Sequence, residues 1–275
     1  MVYSVFRELD CPIRSSSFSI KYVMDGEETY TINGIPYRVK AGQYLLVNNQ
    51  AEGKVQIGSR NNDVKGLCIN IKPEVIAEVA ASRLKPDTAV ADLELGMFLN
   101  SADYPEWQHD AVCTSLGQYI LSIAKQIDRS PRQFSPLNDE QYFALTEALL
   151  QDQLPQYQSY TRISTLKRRT RKHLLQQVWR GKEFIDAHFL EDITIPQIAK
   201  EACMSDYHFF RVFKTAMNCT PYQYMLHKRL QLAQGLIKSR SMTISEIAIY
   251  TGFADVAAFS KAFKKQFQVS PSFVK

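Results

Sequence analysis

Four residues carry the strongest chemical signal in the chain: Tyr207, Phe210, Arg211 and Lys214, spaced i, i+3, i+4, i+7. On a helix that spacing makes one stripe. A guanidinium matches the O6 and N7 acceptors of guanine, an ammonium pairs with phosphate, and aromatic rings make apolar contact with bases or sugars. The matching positions fifty residues later hold Ala257, Ser260, Lys261 and Lys264. In one helix alone the stripe reads better as packing surface beneath another domain. In two matched copies within a basic half, it reads as a surface that faces DNA.

The elements that position these stripes are repeated too. "ITIPQIAKEACMSDYHFFRVFKTAMNCTP" (193–221) returns as "MTISEIAIYTGFADVAAFSKAFKKQFQVSP" (242–271). Each copy opens with a capping box, Thr194 with Gln197 and Thr243 with Glu246. A short helix follows, burying Ile195, Ile198 and Ala199 in one copy and Ile244, Ile247 and Ala248 in the other. A tight turn comes next, with Cys203 where the second copy has Gly252; a left-handed Cys203 costs roughly 1 kcal/mol. Ser205 and Asp255 then cap a second helix. Its inner face reads Phe209, Val212, Phe213, Met217 in copy one and Phe259, Ala262, Phe263, Phe267 in copy two. Helix, short turn, helix is the helix-turn-helix pattern.

Between the copies, Thr220, Pro221 and Gln223 start a third helix, expected from 221 to about 239. Such a helix is about 28 Å long. One turn of B-DNA is about 34 Å. A stiff spacer of that length can hold two recognition helices in successive major grooves.

Charge divides the chain. Residues 1–160 hold 14 Lys and Arg against 20 Asp and Glu, whereas residues 161–275 hold 19 against 8. An acidic half joined to a basic half points to two domains, 1–160 and 161–275, with the basic one facing a polyanion. The boundary falls in the polar stretch "QDQLPQYQSYTRIS", broken by Pro155, and is followed by the basic run Leu166 to His173. That run reads as a solvated helix face, a linker or a DNA contact. The five cysteines, Cys11, Cys68, Cys113, Cys203 and Cys219, are scattered without a C-x-x-C, as suits reduced thiols in a cytosol. The N-terminus lacks the apolar core of a signal peptide, and no stretch approaches the roughly 20 apolar residues of a membrane span. The expected location is cytoplasmic.

The residues 180–275 resemble the AraC/XylS family of bacterial transcription regulators. The resemblance rests on "ITIPQIAKEACMSDYHFFRVFK", on "RLQLAQGLI" (Arg229 to Ile237) and above all on "IAIYTGFADVAAFSKAFKKQFQVSP". It implies a DNA-binding domain of two helix-turn-helix units joined by a long helix, with double-stranded DNA and RNA polymerase as partners and a role as activator or repressor of transcription. By position, the family's base-reading residues fall on Tyr207, Phe210 and Arg211 in the first unit. In the second they fall on Val256, Ala257, Ala258 and Lys261. Phe210 stands where several relatives carry a polar residue, and Val256, Ala257 and Ala258 offer only apolar contact suited to thymine methyl groups. Phosphate contacts are expected from Lys214, Lys264 and Lys265 and at the helix starts marked by Ser205 and Asp255.

The first 160 residues read as short strands. Ile20, Tyr22 and Met24 alternate with polar neighbours, and Asn33-Gly34 is a two-residue hairpin signal. Ala41-Gly42 marks the next turn before "QYLLV", and "VKGLCINI" (64–71) makes another strand. Antiparallel strands with Gly turns suggest a small jelly roll or barrel. Helices are expected near 73–84, 105–128 (stripe Val112, Leu116, Tyr119/Ile120, Ile123, Ile127) and 138–154 (Phe143, Leu145, Leu149, Leu150). These stripes cover the barrel or form a homodimer interface. Tyr22, Tyr30, Tyr37 and Tyr44 fill a core or stack on a sugar. The arrangement is similar to the cupin-like N-terminal domain of AraC-type regulators, which binds a small-molecule effector, dimerises, or does both; no motif marks effector residues here. The expected fold is α+β, a cupin-like N-terminal domain with helices followed by an all-α domain.

No enzyme is expected. The His cluster of metal-dependent cupins is missing before His109, and His188, His208 and His227 lack ligand spacing. No nucleophile elbow, P-loop or dinucleotide fingerprint appears. Cys68 and Cys113 are expected to pack in a strand and a helix. No cofactor and no metal are anticipated. Two other readings stay open: a small-molecule-binding cupin-like protein whose helical half makes protein contacts only, and a carbohydrate-active or isomerase cupin with an appended DNA domain.

Overall fold

The computed structural model describes the chain apart from Ser15, residues 59–61, 83–88, 130–135 and 164–167, Ser241 and residues 274–275. It is α+β and separates into two compact units, Met1–Tyr157 and Gln158–Lys275.

Among the described residues the first unit contains nine strands: β1 (Val2–Phe6), β2 (Glu8–Arg14), β3 (Phe18–Asp25), β4 (Glu27–Ile32), β5 (Ile35–Lys40), β6 (Gln43–Val47), β7 (Glu52–Gly58), β8 (Val64–Ile71) and β9 (Trp107–Asp110). They form two antiparallel sheets, ordered β1-β8-β3-β6-β9 and β2-β7-β4-β5, a jelly-roll-like pair. Asn33 (φ 50°) and Gly34 (φ 81°) both take positive φ between β4 and β5, as the two-residue hairpin requires. Between the sheets lie Val23, Tyr30, Ile32, Val39, Leu45, Val47 and Ile57.

Helices α1 (Pro73–Ser82), α2 (Ala89–Leu99), α3 (Ser115–Arg129) and α4 (Asp139–Arg162) complete this unit or begin in it. Tyr104 links sheet to helices: its ring meets Phe18 of β3 and Phe98 of α2, and its hydroxyl donates to Gln153 of α4 at 2.9 Å. Tyr22, Tyr30 and Tyr44 are buried and Tyr37 is half-buried, so these rings fill the core.

Four expectations need correction. β3 does not alternate: Ser19 and Val23 are as buried as Ile20 and Tyr22. It is the central strand of its sheet, and both of its faces are covered. The helix expected over 105–128 begins only at Ser115; β9 and a short 3-10 turn (Ala111–Cys113) precede it. Val112 is therefore off the helix and 70% exposed, and Cys113 is exposed, while Leu116, Ile120, Ile123 and Ile127 are core. The chain is not broken at Pro155, because α4 continues to Arg162. Proline in a helix interior costs about 3 kcal/mol. Packing offsets it, with Leu149, Leu150 and Gln153 buried before it and Ser159 and Tyr160 buried after it. Finally, α2 was not anticipated.

The second unit is helical: α5 (Arg168–His188), α6 (Ile195–Glu201), α7 (Asp206–Met217), α8 (Pro221–Ser239), α9 (Ile244–Tyr250), α10 (Val256–Phe267) and a 3-10 turn, Pro271–Phe273. They form two three-helix sets, α5–α7 and α8–α10. In the first, Gly181 of α5 lets α7 approach closely; a Cβ there would sit 2.4 Å from a ring carbon of Phe209. In the second, Leu230, Ala233, Ile237, Ile247, Ala248, Phe259 and Phe263 make one core.

Candidate nucleic-acid interface

The two turns that aim the second helix of each pair are built alike. After α6, the Cys203 N–H donates to the Lys200 carbonyl and the Met204 N–H to that of Ala199. After α9, Gly252 donates to Ile249 and Phe253 to Ala248. Both chains reverse through a left-handed residue, Cys203 at φ 54° and Gly252 at φ 77°. The second turn runs one residue longer, from Gly252 to the N-cap Asp255, against Cys203 to the N-cap Ser205. Asp255 accepts from the Ala258 N–H at 2.6 Å, whereas the Ser205 side chain makes no cap bond. Both helices end on left-handed residues, Asn218 and Gln268.

Each helix buries one face and exposes the other. In α7, Phe209, Val212, Phe213 and Ala216 are buried. Opposite them, Tyr207 is 77% and Phe210 39% exposed, with Arg211 and Lys214 exposed beside them. In α10, Phe259 and Phe263 are buried, while Val256, Ala257, Ala258, Lys261, Lys264 and Lys265 are exposed and Ser260 is half-buried. Ser205 and Asp255 are exposed at the starts of these helices. Among the described residues, no carboxylate pairs with Arg211, Lys214, Lys261, Lys264 or Lys265. Their cationic groups are directed at solvent and open to an external anion.

The basic run from Leu166 to His173 is described only in part. Residues 166 and 167 lie outside the described residues. Arg171 holds its guanidinium 4.9 Å from the Tyr160 ring centre, a packing contact within the unit.

α8 runs over the expected range, Pro221–Ser239, with Thr220 accepting from the Gln223 N–H and the Gln223 side chain accepting from the Thr220 N–H. It meets α5 through Asp186, which accepts from Lys182 at 2.6 Å, Lys228 at 3.0 Å and the Tyr224 hydroxyl at 3.0 Å. Burial works against the Asp186 carboxylate, but Lys182 and Lys228 outweigh it and hold its pKa below the ordinary value. Next to Lys228, Arg229 donates to the carbonyls of Phe189 (2.6 Å), Glu191 (2.9 Å) and Gly252 (3.3 Å). Sequence reading missed both residues. The Lys182–Asp186 spacing, i to i+4, was the only local signal. Nothing near Arg229 in sequence indicates acceptors 23 and 40 residues away.

Among the described residues, no group of three or more His, Cys, Asp or Glu is placed to hold a metal, and no helix is long and apolar enough to cross a membrane.

Comparison with known proteins adds independent findings. A family model described as a helix-turn-helix domain matches residues 198–275. A probable transcriptional regulator, LumQ, from Photobacterium leiognathi is 35% identical over 89 residues, 32% of this chain and 36% of that protein. The lactose operon transcription activator of Staphylococcus xylosus is 30% identical over 97 residues, 35% of each chain. The probable transcription factor PqrA of Proteus vulgaris is 35% identical over 82 residues, 30% of this chain and 67% of that protein. The chain thus spans about a third of the length of the first two relatives.

Proposed function

This chain belongs to the AraC/XylS family of transcription regulators, and on that premise we propose that it binds double-stranded DNA through α7 and α10, set in successive major grooves. The observation that carries the reading is the matched pair of exposed basic stripes, joined by a helix about 28 Å long.

In this reading the two helices act differently. Arg211 hydrogen-bonds a guanine edge through its paired donors. Tyr207 and Phe210 make apolar contact with bases or sugars. Val256, Ala257 and Ala258 suit thymine methyl groups, and Lys261 reaches a base edge. Lys214, Lys264 and Lys265 hold phosphates, joined by backbone N–H groups at the helix starts after Ser205 and Asp255. The second unit thus supplies mainly grip and shape readout.

The first unit, 1–157, is the sensing or dimerising part, with a small-molecule effector between its sheets as one occupant and a second copy of the chain as another. Leu116, Ile120, Ile123 and Ile127 of α3 and Leu145, Leu149 and Leu150 of α4 are buried, so a homodimer contact would use the exposed faces of these helices, Tyr119 included. RNA polymerase is the proposed protein partner, transcriptional activation the proposed outcome and the cytoplasm the proposed location; no catalytic step is included. A mobility-shift titration of the full chain against DNA selected from a random pool tests the reading. Retention that weakens steeply with salt supports it, and failure to select any sequence contradicts it.

A further inference from the structure

We infer that Arg229 is the positioning residue that locks the two helix-turn-helix units at one spacing, so that α10 engages DNA only in register with α7; the inference rests on the DNA-binding reading above. Three backbone carbonyls carry it. Phe189 and Glu191 lie just past the C-terminal end of α5, in the first three-helix set. Gly252 lies in the turn between α9 and α10, in the second. One guanidinium on the connecting helix therefore holds both sets at once.

The comparison within the molecule sharpens this. The equivalent turn carbonyl of the first unit, that of Cys203, accepts from Gln177 of α5 at 2.8 Å. That bond stays within one set. Asp186 with Lys228 and Tyr224 ties α5 to α8, but does not reach the turn between α9 and α10. Arg229 alone among these side chains joins the end of α5 to the turn that aims α10. The turn is shaped for it: a Cβ on Gly252 would lie 2.8 Å from the Arg229 Nη1 and 3.0 Å from its Cζ.

The planar fork of arginine can serve three acceptors in fixed directions. A lysine ammonium in its place is a point charge on a flexible stem and cannot hold the same geometry. With the clamp in place, the second groove contact is intramolecular at a high effective concentration. Without it, the second unit samples many orientations, and that concentration falls.

The test uses the full chain and an operator selected by the wild type from random DNA. Affinity is measured on the intact operator, on one with the α10 half scrambled, and on one with a single base pair inserted between halves. For Arg229→Lys, intact-operator affinity is expected to fall about tenfold while scrambled-operator affinity stays within about twofold. The insertion penalty is expected to shrink from about tenfold in the wild type to under about threefold, because a loosened pair tolerates altered spacing. Equal losses on intact and scrambled operators, or an unchanged insertion penalty, would overturn the inference. Gly252→Ala, which crowds the guanidinium without removing it, is run alongside and should move both ratios in the same direction. It keeps the test decisive if circular dichroism shows Arg229→Lys to be unfolded. A wild-type chain that selects no bipartite sequence contradicts the DNA-binding reading itself, and with it the inference, and is distinct from either variant result.

Discussion

Arg229 donates from Nη1 to the Gly252 carbonyl at 3.3 Å, and Gly252 is held at φ 77°, where a side chain would press on that same guanidinium. Cys203 holds the corresponding place in the first unit at φ 54°, and Gln177 approaches its carbonyl instead. Two turns of one shape thus carry opposite residues. Gly252→Ala should lower stability by about 1–2 kcal/mol, from left-handed strain and crowding. Cys203→Gly should change stability in the other direction, by up to about 1 kcal/mol, since it relieves the same strain but loosens the unfolded chain. Urea titrations of the two variants check the opposed signs.

Asp186 gives the second unit a pH signature. Its folded-state pKa is depressed, with burial opposing and Lys182 and Lys228 prevailing. A depressed carboxylate contributes stability that is full above the unfolded pKa of about 4 and is lost as pH falls through the lower folded value. Asp186→Asn should cost about 1–3 kcal/mol at neutral pH, leaving Lys182 and Lys228 without their counter-charge. It should also flatten the acid limb of the stability curve. Thermal melts between pH 3 and pH 7 measure both effects.

Much of this fold was legible because its signals are local. Asn33-Gly34 demands two positive φ values and received them. Thr220, Pro221 and Gln223 fixed the start of α8, and the strands Gln43–Val47 and Val64–Ile71 fell where apolar runs ended at turns. The misses are non-local. β9 is four residues long and exists because Trp107–Asp110 pair with β6. β3 has no alternation because residues on both of its faces are buried, which periodicity cannot reveal. α4 passes Pro155 because packing outweighs a local rule. At the candidate interface, the exposed stripes were readable from helical spacing alone. The clamp that joins them was not, since an arginine donating to distant carbonyls leaves no pattern in sequence.

Lys264 is exposed on α10 with no carboxylate partner among the described residues. As a phosphate contact, Lys264→Ala should lower the slope of log affinity against log salt by about one unit. It should weaken binding to all sequences about equally. Titrations at four salt concentrations check the slope.

Arg211 should behave otherwise. Arg211→Ala should cost about 1–3 kcal/mol on the selected operator and relax preference at one base pair. Binding to every single-base variant of the operator measures this, and uniform weakening would assign Arg211 to a phosphate.

The most direct test of the central claim is a hydroxyl-radical footprint of the full chain on its selected operator. A single chain bridging two grooves predicts two protected patches on one face of the duplex, centred about 34 Å, or one helical turn, apart. A single patch, or two patches on opposite faces, would contradict it.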